Sequence, residues 1–142
     1  MEYSKQGLAL TEQFESCKLT AYQDVKGIWT CGWGHTGPEV VEGYTMTQNQ
    51  ADSQLVMDTL HATSVVNRFV TIGLSQPAFD ALVDFVFNVG SGNFEGSTML
   101  KLLNAGNLEA AADEFQKWDH AAGKVIVGLL RRRIAEEQEF NS

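Results

Sequence analysis

Apolar residues recur at helical spacing over most of the chain, which predicts a mainly helical protein. Thr47 and Gln50 form a capping-box signature in front of a long helix that continues to Phe69. Ser75 is placed to cap the next helix, which is apolar around most of its circumference as far as Val89 and is therefore predicted to be buried. Further helices are predicted at 4–15, 97–104, 107–118 and 127–140.

One stretch has the composition of a β-hairpin instead. Two segments rich in β-branched and aromatic residues flank a turn that runs from Asp24 to Gly27. With a three-residue loop, Gly27 takes the left-handed conformation and Tyr22 lies opposite Thr30. Asp24 and Thr30 then share one face of the hairpin, roughly 7–8 Å apart, whereas a two-residue loop would turn Thr30 to the other face. The predicted strands cover 18–24 and 28–33, with a third short strand near 40–44.

Composition narrows the classes of protein to which the chain can belong. Its 142 residues suit a single domain, and the formal charge of -8 with a pI near 4.7 argues against a general role in nucleic-acid binding. The one dense basic run, Arg131 to Arg133, is followed by glutamates on the same predicted helix. We interpret the run mainly as ion-paired structure, and a functional role for one arginine or a contact with nucleic acid stays open.

The two cysteines and the start of the chain indicate no further functional site. Cys17 and Cys31 lack the spacing and the neighbouring histidines of a metal site, so we expect no metal and no cofactor. Two separate thiols and a disulfide are both compatible with the sequence. The chain starts without a signal-peptide pattern and contains no apolar run of about 20 residues, so we expect synthesis in the cytosol and no stable membrane insertion.

Two carboxylates and a hydroxyl stand close together around the predicted hairpin. Glu15 falls at the end of the first helix, where the negative end of the helix dipole favours a protonated carboxyl. Asp24 begins the turn and Thr30 follows it on the second strand. Cleavage of a glycosidic bond needs a proton donor and a second group that stabilises positive charge or activates water. Glu15, Asp24 and Thr30 are therefore the candidate catalytic residues.

The ordered set of these residues resembles the signature of phage-type lysozymes, the endolysins of glycoside hydrolase family 24. Here the three residues stand within the segments Phe-Glu, Ala-Tyr-Gln-Asp and Gly-Ile-Trp-Thr, followed by Gly-Trp-Gly-His. Downstream segments also resemble the family, so that the resemblance covers nearly the whole chain; they are 79–83, 87–90, 115–118 and 128–133.

The resemblance implies an α+β, lysozyme-like fold in which residues 1–142 form a single lysozyme domain. A small lobe with an antiparallel β-hairpin is expected at about 15–46. A larger helical lobe is expected to combine about 70–142 with the N-terminal helix. In that arrangement the long helix joins the two lobes and a cleft lies between them.

The resemblance also implies an activity, that of an endolysin muramidase. Such an enzyme hydrolyses the β-1,4 bond between N-acetylmuramic acid and N-acetylglucosamine in peptidoglycan by an inverting attack of water. In this hypothesis Glu15 is the general acid, Asp24 stabilises positive charge and helps to orient water, and Thr30 holds that water. The expected supporting or substrate-binding residues, with one arginine orienting the acid, are His35, Asn88, Arg131 and Arg132.

Peptidoglycan is the implied substrate, and the protein is expected to be a monomer that stays in the host cytoplasm until a separate holin permeabilises the membrane at lysis. Two alternatives on the same scaffold remain. A lytic transglycosylase uses one carboxylate and releases an anhydro sugar, and a non-catalytic module only binds peptidoglycan. The third alternative, a helical regulator that binds DNA through the arginine run, conflicts with the acidity of the chain.

Overall fold

The computed structural model describes all residues from Met1 to Ser142. Most of the chain is helical, and four short strands form two antiparallel hairpins, β1 with β2 and β3 with β4. The α+β class predicted from the sequence is confirmed. The elements are α1 (Lys5–Phe14), β1 (Lys18–Gln23), β2 (Trp29–Gly32), α2 (Gln48–Phe69), α3 (Gln76–Val89), α4 (Ser91–Glu95), α5 (Thr98–Asn104), α6 (Leu108–Asp113), a 3₁₀ turn (Phe115–Trp118), β3 (His120–Ala121), β4 (Lys124–Val125) and α7 (Val127–Phe140).

The chain divides into two units, each with its own apolar core. We call Thr11–Leu60 the hairpin unit, and Met1–Leu10 together with His61–Ser142 the helical unit. Helices α1 and α2 each contribute residues to both units. The small core of the hairpin unit consists of buried side chains from the strands, the following loop and the start of α2; they are Cys31, Val40, Met46 and Ala51.

Helix α3 forms the centre of the helical unit, as its apolar circumference predicted. Its start is fixed by Ser75, whose hydroxyl accepts a hydrogen bond from the Ala78 N–H at 3.2 Å. Nine of its residues are buried, which leaves no solvent-facing stripe over most of its length. Phe85 is the aromatic hub, because its ring lies edge-on to those of Phe94, Phe115 and Trp118 at centroid distances of 5.4–6.3 Å.

A buried ionic network joins α3 to α7. The Arg132 guanidinium donates two hydrogen bonds to Asp84, from Nε at 2.9 Å and from Nη2 at 2.8 Å. The neighbouring Arg133 is fully buried and donates to Glu136 at 2.7 Å. Burial, and then the hydrogen bond with Asp84, raise the pKa of Glu136 well above its usual value. Two arginines of the basic run are thus ion-paired structure, whereas Arg131 is exposed.

The prediction of a third strand near 40–44 is wrong. Backbone turns close at Val40 and Tyr44, and Gly43 adopts a positive φ of 85°, so this segment bends rather than extends. A third segment pairs with the hairpin one residue later, where Thr45 forms an isolated antiparallel bridge with Thr20 of β1. The β1–β2 pairing is itself irregular between Lys18 and Tyr22, a bulge that the sequence did not predict.

The helix predicted at 107–118 divides into two parts. Asn107 caps α6 as expected, accepting from the Ala110 N–H, but the helix ends at Asp113 and a 3₁₀ turn follows. Side chains three residues apart lie on one face of a 3₁₀ turn, and this places both Phe115 and Trp118 against Phe85. Packing around α3 therefore overrides the helical pattern. Helix α4 and the β3–β4 hairpin are further elements that the sequence analysis missed.

We predict that Asp84→Ala lowers the free energy of unfolding by about 3–5 kcal/mol, because it leaves the buried Arg132 without its bidentate partner. Urea unfolding at neutral pH measures the loss. The matched control is Asp113→Ala, which removes an exposed carboxylate from the same unit and should cost about 0.5 kcal/mol or less. Equal losses in the two variants would show that the ionic network contributes nothing specific.

Candidate active site

The hairpin turn is held by the side chain of Asp24. Its Oδ1 accepts hydrogen bonds from the Lys26 N–H at 2.8 Å and from the Ile28 N–H at 2.9 Å. The backbone N–H of Asp24 donates to the Ile28 carbonyl, and Gly27 takes a left-handed φ of 80°. The predicted three-residue loop is confirmed. Because Oδ1 carries both backbone bonds, Oδ2 is the oxygen that remains for chemistry.

Thr30 lies directly opposite Tyr22, as the three-residue loop requires. Asp24 faces Ile28, and side chains two residues apart on a strand share a face, so Asp24 and Thr30 lie on the same side of the hairpin. Thr30 is buried, and its hydroxyl donates to the Ile28 carbonyl at 3.0 Å. Since the hydroxyl proton is used in this bond, the lone pairs of Oγ1 remain as acceptors.

Glu15 contacts the loop that follows Thr30. Its N–H donates to the Thr11 carbonyl at the end of α1, and its side chain is half-buried. The carboxylate lies so close to Gly34 that a Cβ on that glycine would be 3.1 Å from Oε2. Cys31 and His35 exchange two backbone hydrogen bonds of 2.9 Å, which close this loop immediately after Thr30. The candidate acid and the candidate hydroxyl thus belong to one local structure within the hairpin unit.

His35 is a structural crosslink in the same unit. Its Nε2 lies 2.6 Å from Glu39 and its Nδ1 2.8 Å from Asp58 on α2. Burial alone would lower the pKa of His35, but the hydrogen bonds and charges of Glu39 and Asp58 outweigh it and raise that pKa. Carboxylates only accept hydrogen bonds, so both ring nitrogens carry protons when both contacts are made. The pKa of Glu39 is lowered, chiefly by its hydrogen bond to His35.

Glu39 and Asp58 are parts of this site that were not predicted from the sequence. Glu39 stands four residues after the histidine, and the intervening Gly-Pro favours a turn, but nothing local indicates that the carboxylate meets the imidazole ring. Gly37 allows that return, because a Cβ there would collide with the Glu39 carboxylate. Asp58 is 23 residues from His35 and meets it only through tertiary folding, for which the sequence carries no local signal.

The other predicted site residues belong to the helical unit. Asn88, at the end of α3, is exposed, and its Oδ1 accepts from Arg133 Nη2 at 2.9 Å. A guanidinium only donates, so the Asn88 amide oxygen must face Arg133 and its NH₂ group remains as the donor. Arg132 pairs with Asp84 as described above, and Arg131 is exposed.

The two cysteines are free thiols. Cys31 is completely buried and its Sγ lies 3.5 Å from the Lys18 carbonyl, whereas Cys17 is half-buried and accepts from the Gln48 amide at 3.7 Å. The disulfide alternative is therefore not realised in this structure.

No group of three or more His, Cys, Asp or Glu side chains is arranged to hold a metal ion. No helix combines the length and the apolar character that crossing a membrane would need.

Comparison with known proteins identifies the family. The sequence profile of the phage lysozyme family matches residues 12–136, which include every candidate catalytic residue. The chain therefore belongs to the phage lysozyme family, as its resemblance to phage-type lysozymes implied.

Individual relatives agree with this assignment. The endolysin of Acyrthosiphon pisum secondary endosymbiont phage 1 is 40% identical over 146 residues, covering 100% of this chain and 99% of that protein. The endolysin of Bacillus phage PZA is 39% identical over 144 residues, covering 100% of this chain and 56% of that protein. The chain thus spans little more than half of the length of the Bacillus phage endolysins that it matches. The muramidase domain of SpmX from Asticaccaulis excentricus superposes with a TM-score of 0.92 at 35% identity, covering 99% and 98% of the two chains.

The His35 contacts predict a pH-dependent contribution to stability. Because the pKa of His35 is raised in the folded chain, its stabilisation is fully present below the unfolded value near pH 6.5 and is lost as the pH rises through the folded pKa. Denaturant unfolding from pH 5 to 9 should therefore show the largest gap between the wild type and His35→Gln at the acidic end. His61→Gln, at an exposed position of α2, serves as the control. A gap that is constant with pH would contradict the assignment.

Proposed function

We propose that the chain is a lysozyme that hydrolyses the β-1,4 bond between N-acetylmuramic acid and N-acetylglucosamine in peptidoglycan. The observation that carries the proposal is the grouping of Glu15, Asp24 and Thr30 within the hairpin unit of a phage lysozyme family member. One carboxyl is available to protonate the leaving oxygen. A second carboxylate and a hydroxyl share one face of the neighbouring hairpin, the arrangement needed to hold a water.

Glu15 acts as the general acid, and its position beside Gly34 leaves no side chain on the adjoining backbone to block the approach of a sugar. Asp24 and Thr30 act together on water. The free Oδ2 of Asp24 and the lone pairs of Thr30 Oγ1 both accept hydrogen bonds. A water that donates hydrogen bonds to both groups directs its own lone pair outward to attack the anomeric carbon. As that bond forms, the water loses one proton to the Asp24 carboxylate, while Glu15 gives its proton to the leaving oxygen of the broken bond.

Attack by a water held in this way gives inversion of configuration, because water enters opposite the face that the acid protonates. A lytic transglycosylase would need only the acid, so Oδ2 of Asp24 and the acceptor lone pairs of Thr30 would have no catalytic function in it. A module that only binds peptidoglycan would need neither the acid nor the water-holding pair. The hydrolase therefore uses the polar groups of the hairpin unit more completely than either alternative.

His35, Asn88, Arg131 and Arg132 support the reaction in this proposal. His35 fixes the loop against which Glu15 lies, through its contacts with Glu39 and Asp58. Asn88 presents its amide NH₂ group as a donor for an acetamido carbonyl of the substrate. We assign the exposed Arg131 an electrostatic role toward the substrate, whereas the buried Arg132 supports the reaction indirectly, through the ion pair with Asp84 that holds α7 on α3.

The biological setting is proposed from relatives that are named endolysins. We propose that the protein acts as a monomer, accumulates in the cytoplasm of the phage-infected cell and depends on a separate holin for access to the wall. Degradation of the wall then lyses the host cell.

Glu15→Gln should reduce the turnover of purified peptidoglycan by at least about a hundredfold, because an amide cannot donate the proton that the leaving oxygen needs. Zymography and turbidity clearing measure the loss, and thermal unfolding should show that the variant still folds. Glu12→Gln removes a carboxylate from the last turn of α1, just before Glu15, and should retain wild-type turnover. Full lytic activity in Glu15→Gln would show that Glu15 is not the general acid.

Two glycine-to-alanine variants distinguish an effect of backbone strain from an effect on the position of the Glu15 carboxylate. Gly34 and Gly43 both have positive φ, of 79° and 85°, so alanine at either position should cost about 1–2 kcal/mol of stability. Only Gly34→Ala also places a Cβ within 3.1 Å of the Glu15 carboxylate, whereas nothing lies within 4 Å of a Cβ at Gly43. We therefore expect Gly34→Ala to lose turnover at least tenfold. Equal turnover in the two variants would contradict the position assigned to Glu15.

A further inference from the structure

The hairpin unit contains a recess whose lining includes none of the catalytic candidates. It is a pocket of about 350 Å³ between the start of α2 and the segment that precedes it. This volume is within the range of small-ligand sites, which begins at roughly 300 Å³. The side chains that matter for its chemistry are Tyr44, Met46, Asn49, Ser53, Gln54 and Met57.

Part of the pocket surface is apolar. Met46 is buried and belongs to the small core, and its sulfur lies 2.9 Å from the place that a Cβ on Gly32 would occupy. Tyr44 packs partly against the same core and leaves the rest of its ring accessible. Met57 is 63% exposed, so most of its side chain is accessible to a ligand. These three side chains provide flat or flexible apolar contact area.

The polar groups around this surface are neutral and available. Asn49 and Ser53 are exposed on the first turns of α2, and Tyr44 is half-buried, so their amide and hydroxyl groups are within reach of a ligand in the pocket. Gln54 donates its Nε2 to Asp58 at 2.8 Å and keeps its Oε1 as an acceptor. The lining therefore offers both donors and acceptors.

The lining also contains no charged residue, although the chain as a whole carries a formal charge of -8. A phosphate or carboxylate would find no counter-charge here, and a cation would find no carboxylate in the lining. The matching ligand is neutral, has an apolar face to lie on Tyr44 and the methionines, and has polar groups around its edge. A pyranose ring with hydroxyl and acetamido substituents has this chemistry.

We propose that this pocket is a second glycan-binding site, which holds one or two residues of a β-1,4-linked N-acetylhexosamine chain. The choice of this polymer rests on the proposed function, whereas the neutral, mixed character of the pocket does not. Binding at a second site raises the local concentration of the polymer around the protein after each cleavage. The pocket would thus keep the enzyme on the wall between cuts.

The test uses the full chain with the Glu15→Gln substitution, so that the enzyme does not cleave the glycan probe. Its methionines carry labelled methyl groups, whose NMR signals report binding. Chitohexaose should shift the methyl signals of Met46 and Met57, and cellohexaose, which lacks acetamido groups, should bind at least tenfold more weakly. Asn49→Ala combined with Ser53→Ala should weaken the chitohexaose-induced shifts about tenfold, because two hydrogen bonds to the sugar are lost. Both changes place a strong helix former on α2, so the variant should fold.

The matched control, Ser64→Ala combined with Gln138→Ala, removes one hydroxyl and one amide from exposed helical positions outside the pocket and should bind like its parent. Methyl signals that stay unmoved by chitohexaose, shifts that survive the Asn49/Ser53 change, or equal binding of cellohexaose would each overturn the proposal. Failure of the proposed function would look different. In that case the wild-type chain, with Glu15 in place, would not cleave peptidoglycan although chitohexaose still shifts the two methionine signals of the Glu15→Gln chain.

Discussion

The candidate active site depends on two hydrogen bonds to one carboxylate oxygen. Oδ1 of Asp24 accepts from the N–H groups of Lys26 and Ile28 and thereby fixes the length of the hairpin loop. Loop length decides the side on which every following side chain lies, because successive side chains of a strand point to opposite faces. One residue fewer would move Thr30 away from Asp24. The same side chain thus builds the turn and supplies the second carboxylate of the site.

The local parts of this structure could be predicted from the sequence because their causes are local. The turn composition from Asp24 to Gly27, and the caps at Ser75 and Asn107, each act within a few residues. Side-chain alternation then placed Thr30 on the face of Asp24. The starts of these helices and the hairpin register next to the turn were therefore predicted correctly.

The remaining features depend on contacts between distant segments. Nothing near His35 in the sequence indicates that Asp58 will reach its ring, and nothing near Gly34 indicates that Glu15 will lie against it. The third strand was misplaced because the β-rich composition near residue 40 did not show that turns would delay pairing until Thr45. A tight turn likewise replaced the end of a predicted helix, where packing on Phe85 decided the backbone conformation.

The two units use polar side chains in different ways. In the helical unit, Arg132, Arg133 and Glu136 are buried and form ion pairs with one another or with Asp84, so their charges mainly serve the packing of α3 on α7. The pairing is incomplete, because Nε and Nη1 of Arg133 and Oε2 of Glu136 make no hydrogen bond. In the hairpin unit, Glu15 and Asp24 are only half-buried and remain able to meet solvent or a ligand. This contrast supports placing the chemistry in the hairpin unit.

The central claim is that water, positioned by Asp24 and Thr30, enters the broken bond. Digestion of purified peptidoglycan in water enriched in heavy oxygen, followed by mass spectrometry of the fragments, tests it most directly. The account predicts that each new reducing end carries one heavy oxygen atom. Fragments that end in anhydro sugars, lighter by one water and without the label, would contradict it.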